Sequence, residues 1–98
     1  MRMATALQIF DALEEVTAGL QPGSEFMLNS ADRADLLKLT EADLMSRHLS
    51  KVRAQEIVYG FWHGSLDPLG RSLGVTLRFD DNAPLLLNSE GAPDEKSA

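Results

Sequence analysis

Met3, Ala6, Ile9, Phe10, Leu13, Val16 and Leu20 recur at steps of three and four, with Gln8, Asp11, Glu14, Glu15 and Ala18 on the other side of the same cylinder. The spacing predicts an amphipathic helix over 3–20. Thr5 is placed to cap its start, and Gly19 with Pro22-Gly23 stops it. Glu25 to Leu28 is a short apolar run between a Pro-Gly turn and Asn29-Ser30, suited to an edge strand or an extended connector. Asn29 or Ser30 then caps a helix over 31–39. Asp32 falls in its first turn, where the helix dipole favours negative charge.

Thr40-Glu41-Ala42-Asp43 has the form of a capping box and opens the next helix. Ala42, Met45, Leu49 and Val52 share one face. Ala54, Ile57, Val58 and Phe61 then cluster about half a turn of the cylinder away. One straight helix would carry two opposite stripes, sandwiched between two layers. A break near Ser50 to Arg53 turns both stripes toward one core, and this reading predicts two helices, 41–49 and 51–59. Gly60, Gly64, Pro68, Gly70 and Gly74 punctuate the stretch that follows, with Trp62 and Leu66 as apolar anchors. Tyr59, Phe61 and Trp62 read as core aromatics, with an interface as the alternative.

Val75, Leu77 and Phe79 alternate with Thr76 and Arg78, which predicts a strand over 75–79. Asp80-Asp81-Asn82 is a turn, and Leu85-Leu86-Leu87 centres a second strand over 84–88, with Pro84 at its start, where an edge strand tolerates it. The expected fold class is α+β, a single domain over 1–88 with four helices packed on a C-terminal β-hairpin. Residues 89–98, SEGAPDEKSA, offer nothing apolar to bury and read as a disordered acidic tail.

Helix, short strand, two helices and a hairpin is also an order that resembles the winged helix-turn-helix family. Leu39-Thr40-Glu41-Ala42-Asp43-Leu44 is similar to that family's LTxxxL entry, and the likeness covers about residues 39–87. The resemblance implies that the hairpin is a wing. It also implies a DNA-binding regulator in which Arg47, Lys51 and Arg53 meet phosphates or bases, supported by Arg78.

Composition narrows the function classes. With 98 residues, 44% hydrophobic and 24% charged, the chain suits one ordinary globular domain. The absence of cysteine excludes a disulfide scaffold and a thiolate metal site. No apolar run approaches the roughly 20 residues of a membrane helix. Only Arg2 is positive before Asp11, and Thr5, Gln8 and Asp11 interrupt the early apolar stretch, so no signal peptide is read and a cytoplasmic location is expected. His48 and His63 fit no metal motif, Asp80-Asp81-Asn82 lacks the spacing of a calcium loop, and Gly64 to Ser72 lacks the spacing and Lys of a phosphate loop. No cofactor, metal or catalysis is expected.

The formal charge is -6, from 9 basic and 15 acidic residues. It is unevenly spread. Residues 1–43 carry eight acids and three bases, residues 44–79 five bases and two acids, and residues 80–98 five acids and one base. An acidic frame therefore surrounds a mildly basic middle. The leading expectation is a binding module that occupies a basic surface of a larger protein or nucleoprotein complex through Asp11, Glu14, Glu15, Asp32 and Asp35. In size and composition the chain is similar to the small acidic cysteine-free inhibitors encoded by phages and mobile elements, anti-CRISPR proteins among them. The alternative is the DNA-binding regulator. The two separate on one point: a single exposed basic face favours DNA, whereas bases paired with acids favour a protein partner.

Overall fold

Four helix starts among the described residues are decided within a few residues by a capping side chain that satisfies otherwise unpaired N–H groups. The computed structural model describes residues 4–87. Thr5 Oγ1 accepts from Gln8 N at 3.1 Å while Gln8 Oε1 accepts from Thr5 N at 2.8 Å, a reciprocal cap that opens α1, Ala6–Thr17. Strand β1 is Ser24–Leu28. Asn29 Oδ1 accepts from Ala31 N at 2.8 Å and opens α2, Ser30–Leu36. Thr40 and Asp43 form a second reciprocal cap, both bonds 3.1 Å, at the start of α3, Glu41–Met45.

The break expected after α3 is present. His48 takes a left-handed φ of 74°, and Ser50 Oγ accepts from Arg53 N at 3.1 Å to open α4, Lys51–Trp62. The reversal brings Leu44 into one core with the Ala54, Ile57, Val58 and Phe61 stripe, but not the face expected there: Ala42 is exposed, Met45 and Val52 are 45% and 66% exposed, and only Leu49 of that set packs against the core. Helices α1, α2 and α3 are shorter than periodicity suggested, and α4 is longer. Val16 and Leu20, placed on the apolar face of the first helix by spacing, are 45% and 39% exposed. Thr17 is buried instead, its hydroxyl donating to Leu13 O at 2.7 Å. The expected start of that helix at Met3 lies outside the described residues.

A further helix, α5, Asp67–Leu73, occupies the glycine-rich stretch read as punctuation. Pro68 lies in its first turn and Gly74 ends it at φ 80°, the usual proline-first, glycine-last asymmetry. Two glycines here are contact points. A Cβ at Gly60 would stand 2.8 Å from Pro68 Cγ, and one at Gly70 would stand 2.7 Å from Val75 O. Bare backbone at these positions lets α5 lie close to α4 and to β2, Val75–Phe79.

The predicted hairpin is not formed. β2 pairs with β1 in parallel, Ser24 opposite Val75 through Leu28 opposite Phe79, with α2 to α5 in the connection. The turn at 80–82 exists, with Asn82 N donating to Asp80 Oδ1 at 2.9 Å, but residues 84–87 form no strand; residue 88 lies outside the described residues. The physical reason is competition for the segment by α2. Asn29 Nδ2 donates to Asp81 O and Ala83 O, Ser30 Oγ donates to the Asp81 carboxylate, and Leu86 N donates to Asp32 Oδ2 at 2.9 Å. Pro84 has no N–H to offer a ladder. Without a hairpin there is no wing among the described residues. The mixed α+β class stands, with five helices and a two-stranded sheet among the described residues.

One hydrophobic cluster joins all seven elements: Ile9, Phe10 and Leu13 from α1, Leu28 and Leu77 from the strands, and Leu36, Leu44, Ile57 and Leu69 from the other helices. Each of these side chains removed from water is worth about 1.5–3 kcal/mol. Arg33 reaches across this assembly, donating to Gly64 O at 3.1 Å and lying 4.9 Å over the Phe79 ring. The expected tail, 89–98, lies outside the described residues. Among the described residues no helix is long and apolar enough to cross a membrane.

Candidate interaction surfaces

The basic middle of the chain meets its acidic frame. Arg47, in the turn after α3, grips Asp11 of α1 through two bonds, Nε to Oδ1 at 2.7 Å and Nη2 to Oδ2 at 2.8 Å. This fork geometry is the strongest form of carboxylate pairing. Hydrogen bonding to Arg47, with the attraction of its charge, holds the Asp11 carboxyl below the ordinary Asp value despite some desolvation. The same bond raises the Arg47 guanidinium, and the charges of Asp11, Glu14 and Asp43 add to it.

Arg78 Nε lies 2.7 Å from Glu25 Oε2 on the solvent face of the sheet. Arg53 and Glu56 approach to 4.0 Å within one turn of α4. Thus Arg47, Arg53 and Arg78, three of the four residues expected to meet DNA, are paired with acids and lie on three different parts of the fold. Lys51 is exposed at the start of α4.

The expected acidic face divides. Glu14 and Glu15 are exposed along α1, and Asp11 beside them is held by Arg47. Asp35, on α2, is partly buried and lies 3.6 Å from Lys38. Asp32 corrects the sequence reading. It is fully buried, and its carboxylate turns inward to hold Leu86 N, so no partner can reach it in the folded protein.

A surface that sequence reasoning assigned to the core is open. Phe61 is buried, but Tyr59 is 62% and Trp62 78% exposed, and Val52, in the first turn of α4, is 66% exposed. Val52, Tyr59 and Trp62 follow at steps of seven and three on the face opposite Ala54, Ile57 and Phe61, so the signal was present in the spacing. His63 packs edge-on against Tyr59, ring centres 4.5 Å apart. Val52, Tyr59 and Trp62, with Glu41 at the start of α3 and Gln55, Glu56 and Val58 on α4, line an open groove of about 390 Å³. Its charged liners are both acids, Glu41 and Glu56. A second groove, about 550 Å³, lies between α1, β1 and residues 80–86, with Val16, Phe26, Met27 and Leu85 on its walls.

Among the described residues no three His, Asp or Glu side chains converge as metal ligands. His48 is exposed, its backbone used to reverse the chain, and His63 is exposed against Tyr59. What these surfaces offer is contact chemistry: an acidic helix, an aromatic groove rimmed by carboxylates, and an apolar groove. No family model, no curated protein and no solved structure matches the chain.

Proposed function

We propose that this chain is a cytosolic protein-binding module that docks on a basic surface of a larger protein or nucleoprotein complex, as an inhibitor or accessory factor. The observation that carries this reading is the internal pairing of two arginines of the basic middle, Arg47 with Asp11 and Arg78 with Glu25, each at 2.7 Å. A duplex-binding domain needs its guanidinium groups free and on one face to displace counterions from phosphates. Here Arg47 and Arg78 are committed to carboxylates at 2.7 Å on separate parts of the fold, and the segment that would form a wing is fastened to α2. The net charge of -6 and the exposed Glu14 and Glu15 then favour a cationic partner surface. Binding would act by steric and electrostatic competition, of the kind small phage-encoded and mobile-element inhibitors use, with an association rate that falls as salt rises.

The test is affinity capture from nuclease-treated extract of the native host, comparing the wild-type chain with the Glu14→Lys/Glu15→Lys variant. The expected result is one protein or complex enriched on the wild-type chain and lost on the variant. Equal capture by both overturns the acidic-face reading. Salt-dependent binding of the purified chain to duplex DNA at low ionic strength, with no protein captured, returns the argument to the DNA-binding alternative.

A further inference from the structure

We infer that the groove along α4 seats an arginine- or lysine-bearing segment of the partner protein. Its aliphatic stem would lie against Val52, Tyr59 and Trp62, and its cationic head between Glu41 and Glu56. The inference rests on the protein-binding reading and assigns it a recognition element away from the α1 face.

Three observations carry it. First, folding does not consume the aromatics. The chain's single Trp is left 78% exposed and Tyr59 62% exposed, while Phe61 between them fills the core. Exposed Trp and Tyr grouped in one concavity are the side chains that most often anchor a protein interface.

Second, the charge in the groove selects the occupant. Both charged liners are carboxylates, and they come from two helices, Glu41 from the start of α3 and Glu56 from the middle of α4. Aromatic faces beside carboxylates match a guanidinium or ammonium, which gains from the ring quadrupole and from the acid together. An acidic peptide or a phosphate backbone would be repelled by the same pair. A purely apolar segment would leave the carboxylates desolvated without a partner.

Third, the ion pair that engages Glu56 is weak. Arg53 stands 4.0 Å from Glu56, at the limit of an ion pair, with the two side chains 50% and 63% exposed. Such a surface pair contributes little and gives way to a better-placed cation. The groove between α3 and α4 is set by core packing, with Leu44 of the first helix and Ala54 and Ile57 of the second buried in one cluster.

Because Trp62 is the only Trp, its fluorescence in the full chain reports this groove alone. The probe is the capped peptide acetyl-Gly-Leu-Arg-Gly-Leu-Arg-Gly-amide, titrated beside its citrulline counterpart, which keeps the shape and removes the charge. The expected result is a saturable change in Trp62 emission with the arginine peptide, about fivefold weaker with citrulline and weaker as salt shortens the Debye length below about 10 Å. Glu41→Gln/Glu56→Gln should lower affinity by about the same factor. Tyr59→Ala should lower it roughly tenfold, the loss of one aromatic anchor. Glu14→Lys/Glu15→Lys should leave the peptide titration unchanged. These side chains stand outside the core, and an unchanged thermal melt confirms that each variant is folded.

Equal responses to the two peptides, no response to either, or a Trp62 change that tracks self-association in sedimentation overturns the inference. With the native partner in hand, capture lost by Glu14→Lys/Glu15→Lys but untouched by Tyr59→Ala and Glu41→Gln/Glu56→Gln overturns the groove and leaves the protein-binding reading standing. Capture indifferent to every one of these changes overturns both the groove and the acidic face as the docking surface.

Discussion

Replacing Gly60 with Ala sets two effects of opposite sign against each other. In a helix interior Ala is favoured over Gly by about 1 kcal/mol, so helix propensity alone predicts a more stable protein. The surroundings predict the reverse. The added Cβ would stand 2.8 Å from Pro68 Cγ, 3.0 Å from Pro68 Cδ and 3.1 Å from Ser65 O. Neither neighbour can turn aside. The proline ring is closed, and Ser65 is held because its N–H donates to Gly60 O at 2.8 Å. Relief therefore requires α5 to move off α4, and overpacking of this kind costs about 1–3 kcal/mol. Subtracting the propensity gain leaves about 1 kcal/mol of net destabilisation, or about 4–8 °C in Tm for a domain of this size. The assay is thermal unfolding followed by circular dichroism, with Gly19→Ala as control, since a Cβ at Gly19 meets nothing within 4 Å. Gly60→Ala should melt lower, and Gly19→Ala at or above wild type. Adding Pro68→Ala to Gly60→Ala should recover part of the loss, a coupling that additive effects would not produce. A Gly60→Ala protein that melts at or above wild type refutes the close packing of α5 on α4.

Two further outcomes follow from the charged groups. Asp32→Ala should cost about 1.5–3 kcal/mol in urea denaturation, because it removes a buried charged acceptor and strands Leu86 N, while Asp32→Asn keeps an acceptor oxygen and should cost less; an Asp32→Ala protein as stable as wild type would rule out the anchor. Asp11 should titrate below the usual Asp value of about 3.9 when followed by carboxyl carbon NMR, and Arg47→Ala should return it there. Since the folded state binds this proton less tightly than the unfolded state, the pairing contributes its full stability above about pH 4 and loses it as pH falls through that value toward the folded pKa. The stability gap between wild type and Arg47→Ala should therefore close on the acid side.

The candidate surfaces divide by the range of the forces that made them. The exposed α4 stripe is written in helical spacing, Val52, Tyr59 and Trp62 falling opposite Ala54, Ile57 and Phe61, yet the aromatics read as core because spacing alone does not say which face meets it. The pairing of the arginines was not. Nothing in the spacing of Asp11 and Arg47, or of Glu25 and Arg78, marks them as neighbours; the packing of α1 against the α3–α4 turn and the parallel register of the strands bring them within 2.7 Å. Asp32 was misplaced for the same reason. Its position in the first turn of α2 was correct, but whether a first-turn carboxylate meets solvent or a distant backbone N–H depends on what lies over that turn.

The helix starts and the break after α3 belong to the amino-acid sequence itself. Thr5, Asn29, Thr40 and Ser50 act on N–H groups two or three residues away, so their work is done locally whatever the rest of the chain does. Helix α5 carried local marks as well, Pro68 first and Gly74 last, but Gly70 within it is explained only by the strand lying against it. The partner of β2 was a tertiary decision. A strand can add to any open edge, and the nearer choice, residues 84–88, was outcompeted: Asn29, Ser30 and Asp32 hold the segment after the turn, while β1, far away in the chain, supplies a matching apolar face in Phe26 and Leu28. Strand pairing satisfies backbone groups across large sequence separations, and only the assembled core determines which edge is left to receive them.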